Sequence, residues 1–327
     1  MPTQHVSQLP TIHTAGLPRL DAVVGQRAAV ERLKVAVAAA RADDRPLDHF
    51  LLTGCGGLGK TALVSIVAAE MGVPFRESLA SALNEGGMPS FLLDTPDKGI
   101  AFIDECHELE GTNVTLLYRA LAERKLFLPG SRKGRALPLP AFSCFAATTD
   151  PHVLPPSFRE RFVELPLDFY SPVELAAIVR QRAGAMNWDA APEVFDHIGR
   201  LGRGVPRLAI RLLSGSREVC RSRNETVTTV EHFVKACELD DRDRRLGLDR
   251  VERSLLTYLH EADGPVRLNV LASRVGLTSK TVVMYESFLV RVGLIVRTEQ
   301  GRALTPEGIE YVREESPRER REVTHAV

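Results

Sequence analysis

Three short apolar runs punctuate the first half of the chain: His49-Phe50-Leu51-Leu52-Thr53, Gly99-Ile100-Ala101-Phe102-Ile103 and Phe142-Ser143-Cys144-Phe145-Ala146-Ala147. Each is short and almost unbroken in apolar character, which predicts strands buried on both faces of a parallel sheet. Helical patterns alternate with them from Leu17 to about Asp168, so the stretch reads as an α/β layer. The segment 126–139 differs. Two short apolar arms flank Pro129-Gly130-Ser131-Arg132-Lys133-Gly134, which predicts a hairpin with a basic tip at Arg132, Lys133 and Arg135.

The period changes at Tyr170-Ser171-Pro172. Ser171 suits a helix N-cap and Pro172 the first helical position. Helical spacing over 174–186, 192–201, 205–224 and 230–237 then predicts a small all-helical domain. The charged stretch Asp240 to Arg245 reads as a solvated linker. Beyond it, Leu255, Leu256 and Leu259 fall at helical spacing, and two further helices, 268–275 and 278–292, end at Gly276 and Gly293. Runs at 294–297 and 302–304 flank Thr298 to Gly301 as a hairpin. Three helices and a hairpin predict a winged helix. The expected division is an arm (1–16), a large α/β domain (17–169), a helical lid (170–245), a winged helix (246–315) and a tail (316–327).

Composition supports this without extending it. A chain of 327 residues suits two or three cores. With 44% hydrophobic and 26% charged residues it belongs with globular proteins. No apolar run approaches the roughly 20 residues of a membrane helix. MPTQHVSQLP has neither the basic start nor the apolar core of a signal peptide, so a cytoplasmic location is expected. The five cysteines form no C-x-x-C pair, which argues against a zinc or redox motif. Lys and Arg number 42, as do Asp and Glu, so nucleic-acid binding would have to rest on local basic groups.

The chemistry concentrates after the first strand. Gly54-Cys55-Gly56-Gly57-Leu58-Gly59-Lys60-Thr61 matches G-x-x-x-x-G-K-[ST], with a strand before it and a helix from Ala62 after it. Glycines let backbone N–H groups turn inward around phosphate oxygens, and the helix N-terminus adds partial positive charge. Lys60 is placed to reach the β- and γ-phosphates, and Thr61 to offer a hydroxyl to Mg²⁺. The second run ends in Asp104-Glu105-Cys106-His107. Strand carboxyl ends are where parallel sheets bind ligands. Asp104 is therefore expected to hold Mg²⁺ and Glu105 to polarise the attacking water. Thr149 closes the third run, where a polar group can orient that water. Arg161 and Arg207 are candidate cations, although a single arginine is more often a surface ion-pair partner.

These motifs together resemble the AAA+ ATPases and, within them, the RuvB family of Holliday-junction branch-migration motors. The likeness runs in order over about 17–313. It includes Leu47-Asp48-His49, the loop 54–61, Phe102 to His107, Ala147 to Thr149, Arg159-Glu160-Arg161-Phe162, Leu167 to Tyr170, Gly204-Val205-Pro206-Arg207 and the wing Gly293 to Arg302. The resemblance implies an ATP- and Mg²⁺-dependent ring, a hexamer, that translocates duplex DNA at four-way junctions. It implies Thr149 as first sensor, Arg161 as an arginine finger acting on a neighbour, and Arg207 as second sensor. Val24, Gly25 and Gln26, with Tyr170 and Pro206, would line the adenine. Arg297 and Arg302 would meet DNA phosphates, and we add Lys280 and Arg291 of the longer helix as candidates. The hairpin 126–139 would dock a RuvA-like junction-binding protein.

The sequence departs from the family at four places. The loop reads Gly-Cys-Gly-Gly where the family commonly has Gly-Pro-Pro-Gly. Cys106 replaces an apolar residue, Gln300 a basic one, and the hairpin is shorter. A clamp-loader-type switch and an ATP-dependent winged-helix regulator are the competing readings. A clamp loader has a helical collar in place of the winged helix, and a regulator needs neither Glu105 nor Arg161.

Overall fold

The computed structural model describes residues 19–127 and 136–315. The expected arm, the hairpin tip with Arg132, Lys133 and Arg135, and the tail lie outside the described residues. The chain forms two compact units, one up to Leu213 and one from Ser214.

The first unit is built on a five-stranded parallel sheet of order β2-β3-β6-β1-β7. Its strands are β1 (Phe50–Thr53), β2 (Phe75–Leu79), β3 (Ile100–Asp104), β6 (Ser143–Thr148) and β7 (Val163–Pro166). The three expected strands are β1, β3 and β6, the central three. Their side chains are almost wholly buried, which is why they read as continuous apolar runs. The two edge strands, FRESL and VELP, are half exposed and carry polar residues, so they give no such signal. Phe50 and Phe145 stack at 5.1 Å between neighbouring strands. Helices α1 (Arg27–Ala42), α2 (Lys60–Met71), α3 (Ala80–Ala82), α4 (Met88–Leu93), α5 (Gly111–Glu123) and α6 (Pro156–Arg159) alternate along the chain with the strands of this unit. A separate antiparallel pair, β4 (Lys125–Phe127) with β5 (Ala136–Pro138), forms the arms of the expected hairpin.

The register sets up the functional edge. Thr53 pairs with Thr148, and Ile103 with Ala146, so the carboxyl ends of β1, β6 and β3 lie side by side. The loop 54–59, Asp104 and Thr149 all leave the sheet there.

Helix α7 (Pro172–Ala185) starts as expected: Ser171 and Glu174 form a reciprocal capping box, with Pro172 in the first turn. Then come α8 (Pro192–Leu201), α9 (Pro206–Ser222) and α10 (Val230–Leu239).

In the second unit, the stretch read as a solvated linker is ordered by a buried acid. Asp243 is 6% exposed and its carboxylate accepts the backbone N–H groups of Arg245, Leu246 and Leu248. A short acid that caps local backbone groups ties down a turn that charge content alone would leave free. The winged helix follows as α11 (Arg250–Glu261), α12 (Leu268–Arg274), α13 (Ser279–Arg291), β8 (Ile295–Thr298), β9 (Gly301–Leu304) and α14 (Pro306–Glu315). Leu255, Leu256, Leu259, Leu271, Val282 and Leu289 share its core. The final helix was not expected, although Thr305-Pro306 announces it. Thr305 Oγ1 accepts the Gly308 N–H at 3.0 Å, and a Cβ on Gly308 would lie 2.1 Å from the Leu294 carbonyl, so only glycine lets α14 pack this closely.

Candidate functional site

The phosphate loop owes its path to glycine. Gly54, Gly57 and Gly59 have φ of +140°, +83° and +96°, a region L-residues avoid. The loop hands over to α2 at Lys60, which is 6% exposed. Its Nζ donates to the carbonyls of Gly54 at 2.6 Å and Cys55 at 3.0 Å. Burial pushes the Lys60 ammonium below its ordinary pKa, against the opposing pull of Glu105 and Asp104. Thr61 and Ala62 follow in the first turn of α2, half buried.

Across from Lys60, β3 delivers Asp104, whose carboxyl burial pushes up. Its Oδ1 accepts the Glu105 N–H at 2.9 Å. A buried lysine and a half-buried carboxylate, both partly stripped of water, fit a polyphosphate and a divalent cation, which would restore charge partners to each.

Glu105 has φ of +51°, left-handed for a residue with a Cβ, which costs about 1–2 kcal/mol. Such strain collects at functional sites. Here it sends the carboxylate toward the end of β6, where the Thr149 hydroxyl donates to Oε2 at 3.2 Å. His107 Nδ1 lies 3.4 Å from the same oxygen and 3.1 Å from Thr148 Oγ1. The proposed base and the proposed sensor are thus joined directly. His107, quoted in the motif but given no role, is a third member of the cluster.

Two elements close on the loop. The Arg207 N–H, in the first turn of α9, donates to the Gly57 carbonyl at 3.3 Å, and the Arg207 charge acts on both Lys60 and Asp104. Tyr170 Oη donates to the Leu58 carbonyl at 3.2 Å. The Tyr170 ring lies over Gly25, where a Cβ would come within 2.7 Å of it. Beside Val24 and Gly25, Gln26 exchanges hydrogen bonds with the Asp168 backbone. Pro206, buried, opens α9 next to Arg207.

Arg161 is set apart from this group. Its guanidinium lies 4.7 Å from the Tyr118 ring, and Nη2 donates to Tyr118 Oη at 2.8 Å. No pattern in the sequence marks Tyr118. On the winged helix, Lys280 is exposed in the first turn of α13, and Arg291, in the last, sits 5.2 Å from the Phe288 ring. Arg297 and Arg302 are both bound to Glu286, an acid of α13 that is 0% exposed and that the sequence reading passed over.

A phosphate-binding loop, a strand-end acid pair with a polar sensor, and a winged helix on the same chain define a P-loop ATPase of DNA-motor type. Comparison with known proteins narrows this. A model of the Holliday junction DNA helicase RuvB P-loop domain matches residues 17–166, and one of the RuvB C-terminal winged helix domain matches 245–313. The Holliday junction branch migration complex subunit RuvB of Streptomyces avermitilis is 36% identical over 296 residues, 88% of this chain and 83% of that protein. Its counterpart in a Nocardioides species is 36% identical over 314 residues, covering 92% and 86%. The solved Thermotoga maritima RuvB Holliday junction branch migration motor superposes with a TM-score of 0.80 at 30% identity, over 93% of this chain and 99% of that one. The chain belongs to the RuvB family.

No helix among the described residues is long and apolar enough to cross a membrane.

Proposed function

We propose that this protein is an ATP-driven motor that moves duplex DNA through four-way junctions, working as a hexameric ring in the cytoplasm. One observation carries the catalytic half of this reading: the Glu105 carboxylate, fixed by a strained backbone and by the Thr149 hydroxyl at the sheet edge that also holds Lys60. A switch that only bound ATP would not need such a base. Bound ATP supplies the phosphoanhydride that is cleaved. Lys60 and the loop amides of 54–61 hold its phosphates, Thr61 and Asp104 hold Mg²⁺, and Glu105 takes a proton from the attacking water. Arg207 senses the nucleotide from α9. Val24, Gly25, Tyr170 and Pro206 flank the base. Arg161 completes the site of the neighbouring subunit.

The division into large domain (17–169), lid (170–245) and winged helix (246–315) follows these tasks, with DNA met through the winged helix, whose candidate basic residues are Arg297, Arg302, Lys280 and Arg291. The hairpin 126–139 is the docking point for a RuvA-like junction-binding protein. The test is ATPase rate against single strands, duplex and four-way junctions, with and without a junction-binding protein. Stimulation specific to junctions supports the proposal. A rate indifferent to every DNA, alone and with the loader, refutes it.

A further inference from the structure

The two wing arginines are not equivalent. Arg302 makes a fork with Glu286: Nε donates to Oε2 at 2.8 Å and Nη2 to Oε1 at 3.0 Å. Its side chain is 18% exposed, and the hydrogen bonds to Glu286 hold its pKa above the ordinary value. Arg302 also anchors β9 through its main chain, exchanging N–H···O bonds of 2.8 Å with Val266. Arg297 reaches the same carboxylate with Nε alone, at 3.0 Å, and its side chain is 51% exposed. Its two terminal amino groups meet no acceptor among the described residues. The rest of the wing adds no cation, since the exposed tip between the strands is Glu299-Gln300.

A buried carboxylate survives only if it is paired and its lone pairs are filled. Glu286 meets that need with two guanidinium groups. In doing so it fixes the direction of Arg297 while cancelling one of the two wing charges. We infer that Glu286 divides the wing: Arg302 and Glu286 are positioning residues that clamp the hairpin to α13, and of the two wing arginines Arg297 is the one that contacts a backbone phosphate, through the amino groups Glu286 leaves open. This rests on the reading that the wing lies in the DNA site.

The experiment is duplex affinity across a salt series, using the full chain with a non-hydrolysable ATP analogue and a labelled duplex. Each phosphate contact contributes about −0.9 to the slope of log affinity against log salt. Arg297→Ala should flatten the slope by about that amount, and should lower the thermal midpoint less than Arg302→Ala does, because the Arg302 fork on Glu286 stays in place. Arg302→Ala should lower the thermal midpoint and leave the slope as it was. Glu286→Gln keeps the shape of the side chain but frees a cation, so it should steepen the slope and tighten binding at low salt, a gain that loss of a purely structural contact cannot produce. A flatter slope with Arg302→Ala and an unchanged one with Arg297→Ala would overturn the division while leaving the wing in the DNA site. So would a flatter slope in Glu286→Gln. If Arg297→Ala combined with Arg302→Ala left both affinity and slope unchanged, the wing itself would leave the DNA site, and the inference would fall with it.

Discussion

Of two adjacent glycines in the phosphate loop, only one should suffer from an added methyl group. Gly57 has φ of +83°, and a Cβ there would meet Val205 Cγ1 at 2.9 Å and Arg207 Cβ at 3.0 Å. The backbone conformation costs an L-residue about 1–2 kcal/mol. Crowding a stiff β-branched side chain and the base of another adds about 1–2 kcal/mol more. The sum, about 2–4 kcal/mol, can be relieved only by moving the loop or the first turn of α9. Either movement breaks the Arg207 N–H to Gly57 carbonyl bond. Gly56 has open space around its Cβ position and no positive φ, and the family commonly carries proline there. We therefore expect Gly57→Ala to weaken ATP binding by at least about 30-fold, the equivalent of some 2 kcal/mol. Gly56→Ala should stay within about 0.5 kcal/mol of wild type. Equilibrium titration with a fluorescent ATP analogue measures both, and thermal unfolding without nucleotide shows whether the fold has paid instead. A Gly57→Ala protein that binds as well as Gly56→Ala, with an unchanged thermal midpoint, would refute the reasoning.

Other expectations follow from the same geometry. Lys60→Ala should lose nucleotide binding, whereas Glu105→Gln should bind normally and cease turnover; a Glu105→Gln protein hydrolysing at the wild-type rate would remove Glu105 from the chemistry. Arg161→Ala should lower turnover by about 10³-fold if the residue serves as an arginine finger. Mixing it with Lys60→Ala subunits should restore some activity, and silence at every ratio, with subunit exchange verified, would count against action on a neighbour. His49 Nδ1 accepts the Cys144 N–H at 3.0 Å, and burial lowers its pKa from 6.5 to about 4. A depressed folded-state value means its stabilisation is complete above pH 6.5 and is lost as pH falls through 4, by about 3 kcal/mol in total. Urea unfolding across this range should show a shallower acid loss in His49→Gln than in wild type, and parallel curves would rule His49 out.

What the sequence disclosed, it disclosed through burial and spacing. β1, β3 and β6 were legible because both of their faces are covered, while β2 and β7 were not, because an edge strand keeps polar residues toward water. The loop holding Lys60 and Thr61 and the strand-end pair Asp104 and Glu105 could be picked out because each motif is local in sequence. Contacts between distant segments leave no such trace. Tyr118 under Arg161 and Glu286 beneath the wing look in the sequence like one more aromatic and one more acid. Asp243 was misread for the same reason. In a charged run it looked solvated, and only its three backbone partners show it to be a turn former.

The bonds around the phosphate loop also suggest how its occupancy is transmitted. Gly57 and Leu58 lend their carbonyls to Arg207 and Tyr170, while Lys60 holds the carbonyls of Gly54 and Cys55. A phosphate that drew Lys60 away would release the last two and free the loop at its amino end. Further along the loop, the carbonyls of Gly57 and Leu58 are tied to the start of α9 and to Tyr170, just ahead of the Ser171 cap of α7. Gly204 donates nothing here but accepts the Tyr170 N–H at 3.0 Å, which joins those two elements to each other. Loop, Tyr170 and the start of α9 thus form a closed ring of hydrogen bonds, two of them between main chains and one through the Tyr170 hydroxyl, and a ring transmits displacement where a single contact could simply stretch. In that arrangement the Arg207 backbone would follow the shape of the loop with no long reach of its side chain.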